Sequence, residues 1–486
     1  MKNKKLLKFA LEKKLCEMSF YEFFKAAWIV VEPAVPLSTN WHHKYICDTL
    51  QEECERIIRQ EPKTKDIIIN VPFRSTKSLI VTVMFPVWAW IKSPKLRFIT
   101  SSYSATLSIE LATKSRDIIF SDWFKKRWED VFHIKKDQNL KERYENNHIG
   151  MRRATSVGGT VTGQGGDFLI VDDPLSPQMA NSATERDNAN EWYRTTFYSR
   201  LNQADIGVRI IIMQRVHEDD LSGFLLDRET RLNYKHICIP ATNTDGNIKP
   251  KSLEKFYNKD TGLFWEDRFS QKVLDDYKNA LGTYGYAGQL QQTPTPLDSG
   301  MIHRDWFRID RFRKDEAIVN FIIDPAYTAN QKNDPSALLA YTYTENKWQI
   351  VDCVNVRKEF PELVKFIPEW VQKNGYTNKS RIYVEPKASG KSIVQTLVRQ
   401  TLVRETGLNV KEDKPPTKDK VARVSDISAS LESGRVSLLN GKWNEEFLDQ
   451  LTKFPAAKHD DMVDCLVMAV NKEIWGSRTG KVVYFS

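Results

Sequence analysis

Two hydrophobic patterns succeed one another along this chain. Residues 1–60 place apolar side chains at spacings of three and four, the period of helices that bury one face. Beyond residue 60 short unbroken apolar runs take over: Asp66-Ile67-Ile68-Ile69-Asn70, Leu96 to Thr100, Phe168 to Val171 and Val208 to Met213. They are rich in β-branched residues and lack polar alternation, so they predict strands covered on both faces. One helical pattern starts at Lys77 and another spans Ser104 to Ile119. Strands alternating with helices predict a largely parallel sheet, the layout of an α/β domain.

The second half repeats the theme after a break. Residues 291–299 read QQTPTPLDS, whose prolines and turn residues mark a linker. Strand patterns return at Ala317 to Asp324, Ser336 to Tyr343, Trp348 to Val354 and Arg381 to Glu385. Helical patterns occupy Glu362–Lys373, Ser389–Glu405, Asp419–Glu432 and His459–Trp475. The expected division is a helical segment over 1–60 joined to a first α/β domain over 61–290, a linker over 291–312, and a second α/β domain over 313–486.

A chain of 486 residues is too long for one core, in keeping with that division. Its net charge of +9 and pI near 9.0 favour a polyanionic partner such as DNA, with a plainly soluble surface as the alternative. Cys16, Cys47, Cys54, Cys238, Cys353 and Cys465 form no CxxC pair and no zinc-finger spacing, which fits a reducing cytosol. The basic N-terminus has no apolar core of the signal-peptide kind. The longest apolar run, Leu79 to Ile91, is broken by Pro86 and too short to cross a bilayer. A soluble intracellular protein is expected.

Two sets of residues carry candidate chemistry. The first is Asn70-Val71-Pro72-Phe73-Arg74-Ser75-Thr76-Lys77-Ser78, between a strand and a helix, where a phosphate-binding loop belongs. Lys77 would reach the β/γ oxygens of a nucleotide and the Ser78 hydroxyl would ligate Mg²⁺, with Pro72 to Ser78 cradling the phosphates. A guanidinium at Arg74 would add a forked donor to a loop that lacks glycines, with pairing to Glu218 as the rival role and Arg152, Arg153 and Arg200 as rival arginine fingers. The apolar strand Phe168 to Val171 ends in Asp172 and Asp173, suited to holding Mg²⁺ and activating water respectively. Thr76 puts a Cβ where the usual loop has glycine, awkward if that position needs positive φ.

The second set is carboxylates at element ends. Asp324 closes the first strand of the second domain, Glu385 closes a later one, and Asp461 and Asp464 sit three apart at the start of the last helix. Acids converging this way can hold two Mg²⁺ or Mn²⁺ ions, one activating water and one stabilising a leaving 3′ oxygen, as RNase H-like nucleases require. Asp334 is a weaker candidate in a turn, Asp460 reads as a helix cap, and His459 reads equally as a proton shuttle or a solvated residue. Lys411, Lys414, Lys418, Lys420 and Arg423 form a basic stretch suited to phosphate-backbone contact or to solvent.

The loop PFRSTKS, the approach Thr162-Gly163-Gln164-Gly165-Gly166-Asp167 into LIVDDP, and Met213-Gln214-Arg215-Val216-His217-Glu218-Asp219-Asp220-Leu221-Ser222-Gly223 together resemble the tailed-phage terminase large subunits. The resemblance runs from about Trp41 to Trp475, in the family's order. Asp173 stands where many members carry glutamate, and Gln214 where threonine is usual. The resemblance implies an N-terminal P-loop ATPase domain of the RecA/ASCE-like kind with a parallel sheet, and a C-terminal RNase H-like nuclease domain. It implies ATP with Mg²⁺, two divalent ions in the nuclease site, and a motor that packages viral double-stranded DNA in the host cytoplasm. It also implies a portal protein and a small terminase subunit as partners, and an about pentameric ring on the portal, with a monomer as the alternative for the isolated chain. Two other readings compete: a recombination or repair ATPase fused to a resolvase-like nuclease, and a DNA-binding scaffold with an inactive phosphate loop. No second set of helicase motifs follows residue 250, which disfavours the former.

Overall fold

The computed structural model describes residues 2–161, 163–227, 233–244, 246–294, 301–314, 317–325, 335–386, 388–402, 407–416, 418–455 and 460–476. The chain divides into two compact units, Met1–Thr295 and Pro296–Ser486.

Unit 1 opens with three helices, α1 (Lys2–Met18), α2 (Phe20–Val31) and α3 (Trp41–Ile58). Ser19 caps α2 by accepting from the Glu22 N–H, and Phe20, Phe23, Phe24, Ala27 and Trp28 form its buried face. Then come β1 (Asp66–Asn70), a π-helical stretch Leu79–Met84 that runs into α4 (Phe85–Lys92), β2 (Arg97–Ser102), α5 (Ala105–Phe120) and α6 (Asp122–Trp128). Pro86 sits in the first turn of α4, where a missing N–H does no harm. Three strands follow, β3 (Ile134–Asn139), β4 (Arg143–Asn146) and β5 (Met151–Ser156), and then β6 (Phe168–Asp172). The unit ends with α7 (Pro177–Ala180), α8 (Ala183–Trp192), β7 (Val208–Met213), α9 (Leu221–Leu226), β8 (Tyr234–Cys238) and α10 (Gln271–Gln289). Helix α10 is kinked at Gly282, whose φ of +71° suits a residue without Cβ.

The sheet order is β3-β4-β5-β2-β6-β7-β1-β8. From β5 to β8 every described neighbour is parallel, while β4 runs antiparallel to both β3 and β5. The expected parallel sheet is therefore present, with β1 and β6 buried along their whole length as unbroken apolar runs require. Separate apolar clusters cover its two faces. One gathers α2, α3, α4 and α5, and the other Leu175, Trp192, Phe197 and Leu225.

Unit 2 contains β9 (Arg308–Asp310), β10 (Val319–Asp324), β11 (Ser336–Thr344), β12 (Lys347–Val356), α11 (Phe360–Lys373), β13 (Ile382–Val384), α12 (Ala388–Leu402), β14 (Val410–Glu412), α13 (Lys420–Glu432), β15 (Val436–Leu439), α14 (Asn444–Thr452) and α15 (Asp461–Gly476). Its sheet order is β14-β13-β10-β11-β12-β15-β9, with an antiparallel β10-β11-β12 meander flanked by parallel neighbours. Residues 308–310 fall in the span read as linker, yet they pair with β15 and belong to this sheet. Gln291 and Gln292, at the start of that span, are buried in unit 1. Helix α15 supplies Met462, Val463, Leu466 and Val470 to one core cluster, and α11 packs a second against the other face.

Candidate functional site

In unit 1 the phosphate-type loop leaves the C-terminal end of β1, which lies between β7 and β8 in the sheet. Asp172 ends β6, the strand on the other side of β7. The topology thus gathers the loop and the acidic pair at one end of neighbouring parallel strands, where ligands of open α/β sheets bind. Lys77 Nζ lies 2.9 Å from Asp173 Oδ2. The Ser78 hydroxyl donates to Asp172 Oδ1 at 2.9 Å, and Thr82 donates to Asp172 Oδ2 at 2.6 Å. Thr82 went unremarked in the sequence; its one signal was its place one helical turn beyond Ser78.

Asp172 is buried, and desolvation followed by the neighbouring Asp173 charge pushes its pKa up to about 6, against the opposing pull of Lys77, Thr82 and Ser78. A carboxylate so placed gains from a cation, and the Ser78–Asp172 pair offers hard oxygen donors suited to Mg²⁺. The loop itself is strained. Arg74, Thr76 and Asp173 have φ of +55°, +69° and +45°. The concern raised by the missing glycine is therefore real at Thr76. Pro72 and Ser75 are buried, Ser75 donates its hydroxyl to the Pro72 carbonyl, and Phe73 packs edge-on against Tyr277 at 4.9 Å.

A pocket of about 330 Å³ opens beside the loop, lined by Arg74, Thr76, Lys77, Ser78, Arg268, Trp28, Glu32, Val35 and Leu79. Arg74 is exposed at its edge and makes no ion pair with a described residue, so the rival pairing with Glu218 is not seen. Of the rival fingers, Arg152 is fully buried and donates to Ser115, which removes it as a group reaching another subunit. Arg153 donates to the Thr160 carbonyl and Arg200 to the Thr196 carbonyl.

The segment after β7 is held by one buried acid. Asp220 accepts from the N–H groups of Val216, His217 and Gly223 and pairs with Arg215 Nε at 2.9 Å. The Gln214 N–H donates to Asp173 Oδ1 at 3.1 Å, which ties this segment to the acidic pair. Thr162, at the head of the approach to β6, lies outside the described residues.

In unit 2 Asp324 and Glu385 come to the ends of adjacent parallel strands, and the Glu385 N–H donates to the Ile323 carbonyl at 2.9 Å. Both are almost fully buried, at 1% and 3% exposure. Asp464, in the first turn of α15, is close enough to Glu385 for that charge to raise its pKa, although burial is the larger cause. Asp461 begins α15 and is half-buried. Among the described residues no group of three or more His, Cys, Asp or Glu side chains is placed to hold a metal ion. Asp334 and His459 lie outside the described residues.

The basic stretch leading into α13 departs from the expectation of cations open to phosphates or to solvent. Lys420 Nζ lies 2.6 Å from both Asp460 and Asp464, Arg423 lies 2.9 Å from Asp464, and Lys418 pairs with Asp426. Lys420 and Arg423 are drawn to Asp464, because a buried acid demands a partner, whereas Lys418 meets an exposed one. Lys411 and Lys414 are not so engaged in any described ion pair, and Lys411 is exposed. Asp460 precedes α15 as expected of a cap, but its carboxylate is engaged by Lys420.

Residues 322–473 match the family model of the terminase RNaseH-like domain. No curated protein matches the chain. The large terminase of a thermophilic bacteriophage aligns over 87% of this chain and 98% of its own, at 12% identity and a TM-score of 0.48. The HK97 bacteriophage large terminase aligns over 93% and 99%, at 12% identity and a TM-score of 0.37. The human cytomegalovirus terminase nuclease domain aligns over 36% of this chain and 98% of its own, at 18% identity and a TM-score of 0.30. At that level of likeness these structures carry no argument, and what is shown is a terminase RNaseH-like domain over residues 322–473.

Proposed function

We propose that this chain is the motor and nuclease of a viral DNA-packaging machine. Unit 1 hydrolyses ATP to drive double-stranded DNA into a procapsid, and unit 2 cuts concatemeric DNA. The observation that carries the reading is the meeting of Lys77 and Ser78 with Asp173 and Asp172 at the ends of the parallel strands β1 and β6, on either side of β7. Lys77 offsets charge on the β/γ oxygens, Ser78 and Asp172 hold Mg²⁺, and Asp173 takes a proton from the attacking water. Arg74, at the edge of the pocket, supplies a forked donor to the transferring phosphoryl group.

In unit 2, Asp324, Glu385 and Asp461, with Asp464 beside them, are the proposed ligands of two divalent ions. Their oxygen donors suit Mg²⁺ or Mn²⁺, which when bound supply activated water and stabilise a leaving 3′ oxygen. Asp324 and Glu385 hold their positions through paired strands, and Asp464 is charge-balanced by Lys420 and Arg423. Bound ions would compete with Lys420 and Arg423 for the Asp464 carboxylate.

The partners of this reading are double-stranded DNA, a portal protein and a small terminase subunit, with a ring on the portal as the working assembly in the host cytoplasm. No described helix is long and apolar enough to cross a membrane. The test is ATP hydrolysis and DNA cleavage measured on one preparation, with and without chelator. ATP turnover together with chelator-sensitive cleavage supports the reading; a preparation with neither sinks it. The strain at Thr76 favours one rival, a DNA-binding scaffold with a silent loop. Absence of nucleotide binding in a titration would select it.

A further inference from the structure

The phosphate loop of unit 1 lacks glycine, yet Arg74 and Thr76 both adopt positive φ, +55° and +69°. That backbone is costly for a residue with a Cβ, most of all a β-branched one. It persists only where surrounding structure holds it. The residue between the two is Ser75, which is fully buried. Its carbonyl oxygen lies 3.1 Å from Nε2 of His42, in the first turn of α3.

His42 is fully buried and its ring is fixed on both sides. Asn40 Nδ2 lies 3.0 Å from His42 Nδ1 and also donates to the Phe264 carbonyl at 2.6 Å. A carbonyl only accepts, so that end of Asn40 is the amide nitrogen, and His42 Nδ1 must accept from it. The ring proton then sits on Nε2 and is donated to Ser75. Burial keeps the imidazole neutral, with its pKa well below 6.5, and the rings of Phe264 and Trp265 lie 5.1 and 5.2 Å away.

We propose that His42 is the positioning residue of the phosphate loop: its Nε2–H, with the tautomer set by Asn40, holds the Ser75 carbonyl and so keeps the strained residues on either side in the shape that presents Lys77 and Ser78 to a nucleotide. The inference rests on reading unit 1 as an ATPase. Glycine-rich loops take such a shape at little intrinsic cost; this loop takes it because a buried ring outside the loop restrains it.

The test uses the full chain and measures kcat and KM for ATP beside thermal unfolding. His42→Leu removes the donor, and His42→Gln returns an N–H near the same place. The leucine variant is expected to lose at least about ten-fold in kcat/KM, and the glutamine variant to recover most of that. Adding Thr76→Gly to His42→Leu should raise kcat/KM at least about three-fold over the single variant, because glycine accepts positive φ. A loop glycine would not rescue a histidine that merely fills the core. If His42→Leu does not fold, Asn40→Ala, which frees the tautomer, carries the same test with the same rescue. Parent-level kcat/KM in the donor-less variant, or no rescue by Thr76→Gly, overturns the inference. A parent protein that neither binds nor hydrolyses ATP overturns the ATPase reading itself, and the inference with it, before any substitution is made.

Discussion

Among the described residues Lys77 is the cation in direct contact with the acidic pair, 6% exposed at its side chain and bound to Asp173. It also lowers the pKa of Asp172, which burial and Asp173 push the other way. Lys77→Ala therefore removes both the proposed phosphate-binding charge and the local counter-ion. ATP hydrolysis should fall by at least about 100-fold while chelator-sensitive cleavage of naked DNA persists, measured on one preparation. Hydrolysis at the parent rate would refute the loop assignment. Arg74→Lys separates charge from geometry at the pocket edge. A fall in turnover of about ten-fold or more with nucleotide affinity largely kept would give Arg74 a transition-state role; unchanged turnover would move that role elsewhere. In unit 2, Asp324→Asn and Glu385→Gln keep shape and remove charge, so cleavage should be lost and ATP turnover kept. Loss of both activities together would instead mark these buried acids as structural.

At the scale of elements, the segment after β7 turns on Asp220. Its carboxylate takes three backbone N–H groups, caps α9 and balances Arg215, all without contact with solvent. Asp220→Ala would leave Arg215 with an uncompensated buried charge, at a cost of roughly 3–5 kcal/mol. Because Gln214 reaches Asp173 from the same segment, ATP turnover should fall with the melting temperature. A variant with parent-like stability would show that the Arg215 charge finds water instead. Elements such as β1 and β6 were readable because a strand covered on both faces has to be an unbroken apolar run. The strands β3 and β4 were not: IKKDQN is the edge strand, where solvent permits polar residues, and RYEN beside it is a four-residue strand with only alternate positions buried. Three-residue strands such as β9 and β14 leave no period to detect. At the candidate sites, Lys77 and Ser78 are legible as candidates because a strand–loop–helix places them by adjacency, and Asp172 and Asp173 because they close an unbroken apolar run. His42 was not, because its bond to Ser75 spans 33 positions and depends on how α3 packs. The sequence leaves Lys420 and Arg423 open to DNA or to solvent, because it carries no sign that Asp464 is buried beside them.

Across the whole molecule the titratable groups are unevenly shared, and acid should act on the two units differently. Burial holds four histidines of unit 1 below the usual 6.5: His42 well below, His43 and His217 to about 4, and His236 to about 3. In the unfolded chain each takes a proton near pH 6.5. Between that pH and the folded values the unfolded state binds more protons, so stability falls as pH falls. At pH 5 each such histidine costs about 2 kcal/mol relative to pH 8. Asp172 acts in the opposite sense. Its folded pKa of about 6 lies above the usual 3.8, so the folded state gains the proton first and recovers about 1 kcal/mol over the same range. One carboxylate does not offset four imidazoles. The expected outcome is a melting temperature for unit 1 that drops by on the order of 10 °C between pH 7.5 and 5. Calorimetry of the full chain across that range measures it, with loss of α3 and α10 protection in hydrogen exchange assigning the transition to unit 1. A unit 1 transition that stays put or rises on acidification would mean that these imidazoles already carry protons in the folded protein, and the neutral Nε2–H donor assigned to His42 would go with it.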